Sequence, residues 1–148
     1  MQLVARLART VLTLILVVIL LSACGTARNA AKPSQTSSSF HIALKTSDGT
    51  LQLQFSMTPN RFGQNMFVVD VQSASNGKPV TNEHTQIFTT MLDMDMATGV
   101  VLLQSNGNGR YSASGMLPMD GNWDIHIQLL DAADTTVHVA KFKVYVAA

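Results

Sequence analysis

The sequence has one cysteine, Cys24, so no disulfide can form within the chain and its stability must come from a packed core. Charge is scarce at 13% of residues, and the ten basic and nine acidic side chains nearly cancel. No basic stripe or acidic run gives electrostatic grounds for binding nucleic acid or an anionic lipid surface. There is no glycine-rich phosphate loop, no nucleophile elbow and no His-Glu-x-x-His, and the lone cysteine is committed elsewhere by the argument below. The acidic pairs Asp93 with Asp95 and Asp120 with Asp124 are explained by turns and surface positions. The expectation is a protein that is not an enzyme.

Only one long apolar run is present, Val11 to Leu21, interrupted by Thr13 and preceded by the charges of Arg6 and Arg9. Eleven helical residues rise about 16 Å, half of a ~30 Å hydrocarbon core, which is too short to span a membrane comfortably. A basic start, a short apolar stretch and small residues after it describe an export signal. The run ends in Leu21-Ser22-Ala23-Cys24, which resembles the lipobox of bacterial lipoprotein precursors. That resemblance implies cleavage after residue 23, acylation of Cys24 and an anchor in the membrane on its extracytoplasmic face. Two or more acyl chains, at ~0.8 kcal/mol per buried CH₂, hold a protein stably where one does not. Without Arg6 and Arg9, eight basic residues face nine acidic ones, a net charge of −1.

From Gly25 to Ser39 there is no large apolar side chain, and a segment of this kind cannot offset its ordering entropy by burial. The expected organisation is a signal over residues 1–23, a lipidated cysteine and flexible tether over 24–39, and one domain over 40–148.

That domain reads as strands. Phe40 to Leu44 and Leu51 to Phe55 flank the turn Ser47-Asp48-Gly49-Thr50, and Met66 to Val71 runs into the turn at Asn76-Gly77-Lys78-Pro79. Thr85 to Leu92, Val100 to Leu103 and Tyr111 to Met116 follow. Trp123 to Leu130 alternates most cleanly, with Trp123, Ile125, Ile127 and Leu129 predicted inward and Asp124, His126 and Gln128 outward. In Val137 to Val146, Ala140, Phe142, Val144 and Val146 share one face. No stretch keeps a helical apolar period. Seven to eight short strands predict an all-β, immunoglobulin-like β-sandwich, with a jelly roll or small barrel as the alternative. Trp123 and Tyr111 are expected to pack in the core.

Between Asn65 and Leu130 several pieces stand in a distinctive order: Asn65-Met66-Phe67-Val68-Val69, Gly77-Lys78-Pro79-Val80, Met91-Leu92-Asp93-Met94-Asp95-Met96, Gly109-Arg110-Tyr111-Ser112-Ala113, and Leu117-Pro118-Met119-Asp120-Gly121-Asn122-Trp123. In these pieces the chain resembles the YtkA-like domain family, bacterial extracytoplasmic modules similar in style to FixH-type and copper-transport-associated domains. The resemblance implies an immunoglobulin-like sandwich and does not imply an enzyme, and some members belong to copper-handling proteins. This sequence lacks the dense His-Met runs of the more obvious copper carriers.

Seven methionines follow the signal, and five fall in two short segments: Met91, Met94 and Met96, then Met116 and Met119. In an extended chain Met94 and Met96 project from one face. Soft thioether sulfur suits Cu(I), so loops carrying these residues are candidate copper ligands, with His126 as a further nitrogen donor. Two alternatives stand beside this one. Methionine also fills irregular gaps in cores, and it is common on adaptable protein-docking surfaces. The competing expectations are thus a membrane-tethered copper-binding or copper-delivery module and a metal-free accessory sandwich that docks an envelope protein partner. His41, His84 and His138 show no ligand spacing and are expected to be solvated.

Overall fold

A computed structural model describes residues 38–148, apart from residues 82, 134 and 136. The signal, Cys24 and most of the tether lie outside the described residues. Nine strands are present and no helix among the described residues: β1 (Phe40–Lys45), β2 (Leu51–Thr58), β3 (Gly63–Ser73), β4 (His84–Met91), β5 (Gly99–Leu102), β6 (Gln104–Ser105), β7 (Arg110–Leu117), β8 (Gly121–Leu130) and β9 (Val137–Val146).

They form a five-stranded sheet in the order β1-β2-β3-β7-β6 and a four-stranded sheet in the order β5-β4-β8-β9. Every pairing between these strands is antiparallel. The chain leaves the first sheet after β3, builds β4 and β5, returns for β6 and β7, then crosses again for β8 and β9. This is the Greek-key exchange of an immunoglobulin-like sandwich, with one additional strand at its N-terminal edge.

Alternation explains the core. Leu51, Leu53, Phe55 and Met57 on β2 face Ile87 and Met91 on β4 and Trp123, Ile125, Ile127 and Leu129 on β8, all buried. Aromatic contacts knit the sheets: Phe55 lies 4.9 Å from Phe142 between ring centroids, and Phe40 stacks on Phe142 at 5.7 Å. Each fully buried side chain of this size contributes ~1.5–3 kcal/mol.

The predicted faces of β8 and β9 are the observed ones. The one strand not foreseen is β6, two polar residues held only by the registers Gln104↔Ser112 and Ser105↔Tyr111. Nothing in two exposed polar residues marks a strand; the pairing comes from β7 alongside.

Tyr111 is 1% exposed, as expected for core packing. Its hydroxyl donates to the Val80 carbonyl at 3.0 Å and accepts from the Glu83 amide at 3.2 Å. The ring thus fastens the crossover between β3 and β4 to the first sheet. Gly109, just before β7, has φ of 72°, and a Cβ there would lie 2.5 Å from the Val71 carbonyl oxygen. Both the left-handed backbone and the close approach require glycine.

Candidate functional site

The two methionine segments meet at one end of the sandwich. Met91 closes β4 directly opposite Trp123 on β8. Beyond that pair, the Leu92 amide donates to the Asn122 carbonyl at 2.8 Å. The Asp93 carboxylate accepts from the Asn122 amide at 2.6 Å and from Asn122 Nδ2 at 3.1 and 3.2 Å. Those bonds, the backbone one first, hold the Asp93 carboxyl below its ordinary pKa. On the other side, Trp123 Nε1 donates to the Met119 carbonyl at 3.2 Å. Asp93 and Trp123 therefore tie the segment after β4 and the turn before β8 into one surface. Gly121 makes the approach possible: its φ is 129°, and a Cβ there would stand 2.6 Å from Asp93 Oδ2 and 3.0 Å from Met91 Cε.

The five methionines occupy different depths. Met91 is buried in the core at 7% exposure, while Met94, Met116 and Met119 are exposed, Met116 most at 63%. Met96 is half-buried against the core. Met96 and Met116 line one shallow pocket of about 230 Å³, with Thr89, Gly99, Pro118 and Trp123 completing its wall. Two methionines 20 residues apart in sequence thus line one pocket, with Met94 and Met119 on the flanking loops. Met57 is buried in the core and Met66 is exposed on β3, in neither segment.

His126 is not part of this surface. It projects from β8 on the face opposite Trp123 and Ile125, in the row Phe88–His126–Lys141 across three strands. Its ring lies 5.7 Å from that of Phe88. Partial burial, then the neighbouring Lys141 charge, lowers its pKa below the ordinary histidine value. The expected outward orientation is observed, and it separates His126 from the methionine pocket by the thickness of the sheet. Among the described residues, no three His, Cys, Asp or Glu side chains gather as metal ligands. The soft donors at this end are thioethers, and the Asp93 carboxylate beside them is engaged by Asn122.

One histidine has a partner that the sequence did not signal. His138 Nδ1 lies 2.6 Å from Asp48 Oδ2, joining β9 to the turn between β1 and β2. Hydrogen bonds from Thr46, chief among them, and from Thr50 and His138 draw the Asp48 carboxyl far below its usual range. Asp48 and His138 stand 90 positions apart, and no local pattern links them.

No curated protein and no solved structure gives a match. The model of the YtkA-like family matches residues 34–128, from ahead of β1 into β8 and across both methionine segments. With well over half of its length matched and the sandwich in place, this chain belongs to the YtkA-like family.

Proposed function

We propose that this chain is a non-enzymatic accessory module of the bacterial cell envelope, held on the extracytoplasmic face of a membrane by lipid on Cys24, and that its methionine end binds Cu(I). The observation that carries the metal reading is the convergence of Met96 and Met116 on one pocket, between loops bearing Met94 and Met119. Thioethers are neutral and soft, so a singly charged soft ion loses its water to them without any deprotonation of ligands. Met96, Met116, Met94 and Met119 are the side chains that hold the ion in this reading. Met91 supports them from the core, and Asp93 fixes the loop through Asn122.

Competition for Cu(I) against a chromogenic chelator tests the proposal. Wild type is expected to withdraw copper from the chelator, and a variant with leucine at Met94, Met96, Met116 and Met119 is expected not to. Leucine for methionine conserves volume and costs under ~1.5 kcal/mol even in a core, so the variant should remain folded. Because His126 lies across the sheet, affinity should stay level as pH falls through the imidazole range near ~6.5. Equal binding by both proteins, or by neither, removes the copper reading.

A second reading, a metal-free docking surface for an envelope protein, draws support from the exposed Val100 and Leu102 on edge strand β5, beside Gly99 of the same pocket. Absence of Cu(I) binding, together with capture of a partner that is lost in the leucine variant, would favour it.

The anchor has its own test. Cys24→Ala is expected to release the protein from the membrane fraction or to leave it as uncleaved precursor. A processed, mature-length chain that still sediments with membranes would rule lipid anchoring out.

A further inference from the structure

The exposed large apolar side chains are spread unevenly over the sandwich. Phe62, Leu92, Met94 and Met119 stand in the loops at the methionine end, and Met116 lies one residue before the adjoining end of β7. Phe62 belongs to this end because its amide donates to the Ala147 carbonyl at 2.8 Å, just beyond Val146, which pairs with Gly121. The turns at the other end, 46–50, 74–79 and 106–109, hold no large apolar side chain. Clustered apolar exposure of this kind marks a surface that meets a membrane or a partner.

The chain enters the domain at the same end. Ser38 Oγ donates to the Pro59 carbonyl at 3.0 Å, in the loop that carries Phe62. Phe40 then opens β1 opposite Met57, next to the last residue of β2. Ser38 is 38 − 24 = 14 residues from Cys24, a connection of about 50 Å at most at ~3.3–3.6 Å per residue. β3 alone, 11 residues at ~3.4 Å each, runs about 35 Å from this end to the other. Turning the far end toward the lipid on Cys24 would use most of the connection merely to pass the domain. Turning the methionine end toward it uses none.

We propose that the methionine end rests on the surface of the membrane that holds Cys24, with Phe62 and Leu92 seated at the level of zwitterionic lipid headgroups. The proposal rests on the Cys24 anchor and is independent of copper. Because the anchor already holds the chain at that surface, the contact is intramolecular and a weak affinity suffices. Charge selects the lipid. Among the described residues, the loops of this end hold Asp93, Asp95 and Asp120 against one cation, Arg61, so anionic headgroups oppose the contact.

The test uses the acylated full chain in phosphatidylcholine vesicles, with one thiol introduced at a time by Phe62→Cys, Leu92→Cys or Lys78→Cys. Acylation of Cys24 leaves no other thiol to label. A polarity-sensitive fluorophore on the thiol reports water, and a nitroxide on the lipid headgroups reports contact. Blue-shifted emission at 62 and 92 is expected, with quenching at least about threefold stronger than at 78, which lies in a turn at the far end. Mixing in phosphatidylglycerol should reduce both signals. Circular dichroism matching wild type shows that each variant is folded. Flotation separates this proposal from the anchor beneath it. A chain that does not float with the vesicles refutes the anchor and this proposal together. A floating chain with equal quenching at the three positions, or with none, refutes this proposal alone. Shielding from water without quenching, increasing with the number of chains per vesicle, would assign the end to a second copy and overturn it. Labels wet on pure-lipid vesicles but shielded in native membranes would assign the end to an envelope protein, with the same consequence.

Discussion

Trp123→Ala is expected to lower the stability of the sandwich by about 3–5 kcal/mol, the range for deleting a buried large aromatic ring. Trp123 is 2% exposed and sits on β8 between Met91 on β4 and Val144 on β9. Its indole NH also closes the turn through the Met119 carbonyl, so the alanine variant loses that tie as well as the packing. A single domain commonly has ~5–15 kcal/mol of net stability, so this one change consumes a large share of it. Urea unfolding of wild type and variant measures the difference. A loss below ~1 kcal/mol would mean that the ring is dispensable to the core. The same variant should disturb the methionine end first, because the ring also walls the pocket shared by Met96 and Met116.

Asn65→Ala is the second large effect. Asn65 is polar yet 1% exposed, and every capacity of its amide is used. Oδ1 accepts from the Asn60 amide at 2.9 Å and from the Arg61 amide at 3.4 Å; Nδ2 donates to the Arg61 carbonyl at 2.7 Å and the Gly63 carbonyl at 3.1 Å. One side chain thus replaces the backbone partners that the loop between β2 and β3 lacks. Truncation leaves several of these groups without partners at ~1–3 kcal/mol for each that stays buried, and the expected loss is about 2–4 kcal/mol. Asn65→Asp keeps the acceptor but discards both donated bonds and buries a charge, so it should be no better tolerated. Hydrogen exchange of the Asn60 and Arg61 amides reports on the loop directly. Unchanged protection of both in the alanine variant would refute this account.

The strands were legible wherever one face is buried and the other wet. Trp123 to Leu130 announces its two faces in sequence, and β8 has them. Asn65, by contrast, is a polar residue ahead of a strand pattern, and only the folded loop reveals why it is buried. Proximity of the two methionine segments could be conjectured from their spacing, but their depths could not. Met91 falls on the inward phase of β4 and is buried, while Met116 falls on the outward phase of β7, one residue before its end, and remains exposed.

The strand order also sets when the protein can acquire its shape. The hairpins β1–β2, β2–β3 and β8–β9 join neighbours along the chain and form without waiting for distant partners. The pairings that complete each sheet are of another kind: Asp70 with Arg110 and Gly63 with Leu117 between β3 and β7, His84 with Leu130 between β4 and β8. Large loops must close before these contacts give any return, which places such sandwiches among the slower folders of their size. A chain emerging from its N-terminus can assemble β1, β2 and β3 early, but their apolar face has nothing to lie against until β4 and β8 have both arrived. The core is therefore sealed late, and until then Leu53, Phe55 and Phe67 present a sticky sheet to whatever is nearby.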